Sequence, residues 1–151
     1  MITERTRNIL AQLGLFVGAA GVLATGADHF YEYSANNFST VPTIGTLFLL
    51  NFIAATVVGV GLLLPLQRVG TLLGAGLRAL LAVSGVGIAA TSLIGLWVSE
   101  SASLFGFTDY GLRTTIAVAI VAESVAIVGL TVHLTLVHPR AFYRPHRLQS
   151  H

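Results

Sequence analysis

Cysteine and lysine are both absent from the 151 residues. Without a thiol the chain forms no disulfide, no thiolate metal centre and no cysteine nucleophile, and cysteine usage says nothing about its redox compartment. Charge of either sign is scarce: charged residues make up 9% of the chain, against about 25% in a soluble domain. A scattered handful of arginines with a formal net charge of +2 forms no basic patch, which excludes nucleic acid as a partner. Reaction signatures are missing too: there is no G-x-S-x-G elbow, no H-E-x-x-H, and no glycine loop followed by lysine for a phosphate. No residue set proposes a reaction, and no cofactor is expected.

What remains is hydrocarbon. Hydrophobic residues reach 54% and the mean hydropathy is +0.82, a composition for which lipid rather than water is the fitting solvent. Four apolar runs stand out, at 9–27, 44–66, 79–99 and 114–137. Each holds about 19 residues or more, and at about 1.5 Å per residue that crosses a hydrocarbon core of about 30 Å. Backbone groups in lipid must pair within their own segment, so each run is expected to be a helix. The expected architecture is one all-α domain: a four-transmembrane-helix bundle with helices near 9–29, 44–66, 74–99 and 113–137, then a basic tail at 138–151. The first run is longer than the apolar stretch of a secretory leader, and it is read as a span.

Arginine sets the orientation. Arg5, Arg7, Arg68, Arg78, Arg140, Arg144 and Arg147 fall on one side of the four runs, and only Arg113 on the other. Cytoplasmic loops carry the excess of basic residues, so both termini are expected in the cytoplasm. Arg140, Arg144 and Arg147, with Phe142 and Tyr143 among them, are expected to lie against lipid headgroups.

Polar residues inside the spans are the candidates for function. Glu123 lies about ten residues into the last helix, roughly 15 Å from its start and near the bilayer midplane. A carboxyl at that depth costs about 2.5–3.5 kcal/mol unless it faces protein or water, so it marks either a proton or cation site or a carboxyl hydrogen-bonded to a neighbouring helix. Asn51, at nearly the same depth on the second helix, is the expected partner, and a direct pair would make helices two and four neighbours. A faint repeat points the same way: Thr43, Ile44 and Asn51 are spaced as Thr115, Ile116 and Glu123.

A second cluster, Asp28, His29 and Glu32, is expected at the outer end of the first helix, level with the headgroups. Its three- and four-residue spacings put the three side chains on one face. Carboxylate and imidazole suit zinc or iron, but without a fourth ligand no metal is assigned. His29 and His133 fall near opposite ends of their helices and cannot share a haem within one chain.

Small residues at four-residue spacing let helices approach closely: Gly14 and Gly18, Ala55 and Gly59, Gly70 and Gly74. The face running from Gly14 through Gly18 to Gly21 is the best candidate for contact with a second protein. The stretch DHFYEYSANNFSTVPTIGTLFLLN at 28–51, with the lysine-free, Ala/Gly/Val-rich spans, resembles small four-helix membrane proteins of unknown function from high-GC, actinobacterial-type bacteria. The resemblance implies the bacterial inner membrane and carries over no site residue. The leading expectation is a non-catalytic protein that works by association, as an accessory subunit of a membrane complex or a small homo-oligomer. The alternative is a small proton- or cation-coupled transporter with Glu123 as the carrier group.

Overall fold

The computed structural model describes residues 2–106, 108 and 113–137. Four helices dominate them: α1 (Glu4–Ser34), α2 (Ile44–Leu63), α3 (Thr71–Ser101) and α4 (Thr114–Val137). All four are long and apolar enough to cross a membrane. At about 1.5 Å per residue, the 31 residues of α1 and of α3 extend well beyond a hydrocarbon core of about 30 Å.

Local chemistry sets the ends. Thr3 caps α1 by accepting from the Thr6 amide at 3.2 Å, and Glu4 places negative charge in the first turn, where the helix dipole favours it. The helix therefore begins five residues before the apolar run. α2 stops at Leu63 because Leu64, which precedes Pro65, is held extended. A short 3-10 turn (Leu66–Val69) and Gly70, at φ 116°, lead straight into α3. Arg78 of α3 reaches back to this corner and donates to the Leu64 carbonyl at 3.1 Å and to Gln67 Oε1 at 3.2 Å, which satisfies a carbonyl at the end of α2.

The helices run up and down around a square. α1 packs on α2 and α4, α3 packs on the same two, and α2 and α4 stand on the diagonal, with no Cα atoms within 8 Å of each other. Asn51 and Glu123 are therefore on opposed helices and not on neighbours. The start of α1, the α2–α3 corner and the end of α4 form the terminal end of the bundle. The end of α1, the start of α2, the end of α3 and the start of α4 form the distal end.

The small residues resolve into distinct roles. A Cβ on Gly14 would stand 2.7 Å from the Gly129 carbonyl oxygen, and one on Gly21 2.6 Å from the Ala126 nitrogen, so α1 and α4 meet backbone to backbone. Gly18 lies in the same seam, against Leu130. The face expected to meet a second protein is thus covered by α4. Ala55 packs on Gly26, and Gly59 on Leu23, along the α1–α2 boundary. Gly70 and Gly74 are not a helix-packing pair: Gly70 faces open space, and Gly74 gives room to the Leu66 carbonyl of the preceding turn. Leu15, Val22, Val58, Leu62 and Leu130 fill the terminal half between these seams. Arg140, Arg144, Arg147 and the rest of the basic tail lie outside the described residues.

A candidate binding cavity

The distal half of the bundle is hollow. A cavity of about 270 Å³ reaches from Glu123, deep in α4, to Leu104 and Arg113 at the distal end. All four helices contribute to its polar lining, in two tiers. The deep tier holds Asp28 and His29 from α1, Asn51 from α2, Ser92 from α3 and Glu123 from α4. Glu32, Ser99 and Thr115 form the upper tier, close to the helix ends. The two groups that the sequence separates, Asn51 with Glu123 and Asp28 with His29 and Glu32, belong to one site. They meet because α1 continues to Ser34, which draws Asp28 and His29 down into the bundle.

Ser92 organises the deep tier. The Thr25 carbonyl can only accept, so His29 Nδ1, 2.9 Å from it, carries the proton. In a neutral ring Nε2 then accepts from the Ser92 hydroxyl at 2.9 Å, while the Ser92 oxygen accepts from Asn51 Nδ2 at 3.0 Å. This relay links three helices, and the His29 ring rests edge-on against Phe48 with centroids 5.1 Å apart. Ser92 is also within hydrogen-bonding reach of the Glu123 carboxyl. A hydroxyl has one hydrogen, so Ser92 donates either to His29 or to Glu123 at any moment.

Several oxygens in the cavity wall have no such partner. Both carboxyl oxygens of Glu32, Oε2 of Glu123, Oδ1 of Asn51 and Oγ1 of Thr115 are buried without a hydrogen bond. Glu123 is 1% exposed and Glu32 6%, so only what occupies the cavity can serve them. A buried polar group left unpaired costs about 1–3 kcal/mol, and more if charged. Asn51 Oδ1 can only accept, and so do the Glu32 and Glu123 oxygens when their carboxyls are ionised. Among the described residues three carboxyls, Asp28, Glu32 and Glu123, line the cavity against one arginine, so acid predominates there. Arg113 lies at its rim, with the guanidinium carbon 5.7 Å from the centre of the Phe38 ring.

Asn51 and Glu123 do line a common space, but Ser92 stands as the hydrogen-bond partner of Asn51. The spacing repeat has a structural counterpart: Ile44 and Ile116, and Asn51 and Glu123, line the cavity from the two diagonal helices. Ser92 and Thr115 carry little signal as site residues in the sequence, because a lone hydroxyl hardly lowers the hydropathy of an apolar run. Depth alone would have found Ser92, which lies about as far from the distal end of its helix as Glu123 does. His133 is buried in the terminal half, with Nδ1 2.8 Å from the Ala11 carbonyl oxygen, remote from the cavity lining. Among the described residues no three His, Asp or Glu side chains converge as a metal site would require. The chain matches no family model, no curated protein and no solved structure.

Proposed function

We propose that this chain is a multi-pass membrane protein that holds one small cationic solute in the distal cavity. One observation carries the reading: buried carboxyl and amide oxygens from α1, α2 and α4 face one space without a hydrogen bond, and among the described residues three carboxyls there outnumber the one arginine at the rim. A cation or a donor-rich solute satisfies them, and an anion does not. On this reading the termini are cytoplasmic and the cavity mouth is outside, which the arginine asymmetry supports, and the membrane is the bacterial cytoplasmic one that the resemblance implies. Because the terminal half is packed by Leu15, Leu62 and Leu130, the cavity serves one side only in this conformation. Proton- or cation-coupled transport with Glu123 as carrier is the extension of this reading, and it requires a second conformation in which that packing opens.

Association with a partner membrane protein or a second copy is the other reading, with α3 as the face that favours it. That helix is covered least, and Cβ atoms added at Gly76 and Gly87 would meet nothing within 4 Å. A backbone could approach there.

Thermal unfolding in lipid nanodiscs tests the cation reading. At constant ionic strength, the chloride of at least one of sodium, ammonium or n-butylammonium is expected to raise the unfolding midpoint saturably. A ligand at one hundred times its Kd adds about 2.7 kcal/mol. Glu123→Gln, which keeps the shape and removes the charge, should weaken that response at least tenfold, and Glu32→Gln should weaken it less. If none of the three cations acts, or both variants respond like the parent protein, the reading is wrong.

A further inference from the structure

Building on the cation reading, we infer that the solute is an organic ammonium with an apolar body, and not a bare metal ion. On α2, α3 and α4 the cavity wall carries a hydrocarbon band, whereas on α1 Asp28 and Glu32 stand one turn apart. Phe48 lies between Ile44 and Asn51 on α2, Leu96 between Ser92 and Ser99 on α3, and Ala119 between Thr115 and Glu123 on α4; all three line the cavity. Leu47 and Ile116 extend the band on two of these helices. A metal ion gains nothing from such a wall. Calcium takes about six to eight oxygens at about 2.3–2.6 Å, and here, among the described residues, not even three acidic or imidazole side chains converge.

An ammonium head asks for less: three acceptors around one nitrogen. The deep tier offers Glu123 Oε2 and Asn51 Oδ1, both buried and unpaired, and the Asp28 carboxyl lines the same space. A short alkyl chain on that nitrogen would lie along Ala119, Phe48 and Leu96, and 270 Å³ leaves room for several carbon atoms. Each methylene taken from water into such a wall strengthens binding about fourfold.

Calorimetric titration of the whole protein in nanodiscs with methyl-, ethyl-, propyl- and butylammonium, sodium, calcium and n-butanol decides the matter. Affinity is expected to climb about fourfold per added methylene, with sodium, calcium and n-butanol at least tenfold weaker than butylammonium. Leu96→Ala should flatten the series while leaving methylammonium within twofold. Sodium or calcium binding with a flat or absent amine series overturns the organic ammonium and leaves the cation reading standing. If no cation binds at all, or n-butanol binds as well as butylammonium, both readings fall.

Discussion

Gly21→Ala is expected to destabilise the bundle by about 2 kcal/mol, followed as the midpoint of unfolding by sodium dodecyl sulfate in mixed micelles. The added Cβ would meet the Ala126 nitrogen at 2.6 Å, and the Ala122 carbonyl oxygen and Ala126 Cα at 2.9 Å. These are backbone atoms, so α1 and α4 must separate, and overpacking of this kind costs about 1–3 kcal/mol or more. Replacing a helical glycine recovers at most about 1 kcal/mol of that. Gly59→Ala is the control with the opposite logic. Its close neighbours are the Cγ and Cδ2 atoms of Leu23, at 2.6 and 2.7 Å, and a leucine side chain can turn aside. It should stay within about 1 kcal/mol of the parent protein. Equal losses at the two positions would mean that the α1–α4 seam is no tighter than the α1–α2 boundary.

Ser92→Ala is expected to cost about 1–2 kcal/mol, a large effect for one hydroxyl. It removes the acceptor of Asn51 and the donor of His29 Nε2 together, and each group left unpaired in a buried setting costs about 1–3 kcal/mol. The lower end applies because the cavity can admit water to both. Coupling should be visible in a double-mutant cycle: Ser92→Ala and His29→Ala together should cost about 0.5–1 kcal/mol less than the sum of the two alone. Strict additivity would show that the relay is not formed.

The number of helices and their class were legible because apolar runs long enough to cross a membrane leave no other backbone solution. Their ends were less so. The apolar run on α1 covers 9–27 and suggests a helix near 9–29, yet the helix runs from Glu4 to Ser34, since capping by Thr3 and the polar last turn extend it beyond the hydrophobic stretch. That overrun is also why Asp28, His29 and Glu32 looked like a separate headgroup-level cluster. Counting residues gives Asn51 and Glu123 nearly the same depth, and both line the cavity. Neighbour relations do not follow from counting: α2 and α4 are diagonal, and the contact falls to Ser92, a residue with no periodic or charge signal. Small residues were legible as packing residues but not by partner, since spacing alone cannot distinguish Gly21 against Ala126 from Gly74 against the preceding turn.

The cysteine-free chain allows the most direct test of the central claim, that a cation-selective space is enclosed by the distal halves of the helices. Ala119 lines the cavity, whereas Ala126, two turns below it on α4, is fully buried against Gly21. Cysteines placed singly at these positions in proteoliposomes would be treated with methanethiosulfonates carrying an ethylammonium or an ethylsulfonate group, each rate normalised to that of a free thiol. Ala119→Cys should react, at least tenfold faster with the ammonium reagent, and Ala126→Cys should not react. If Ala119→Cys is as inert as Ala126→Cys, or favours the sulfonate, the cavity does not select cations and the account fails.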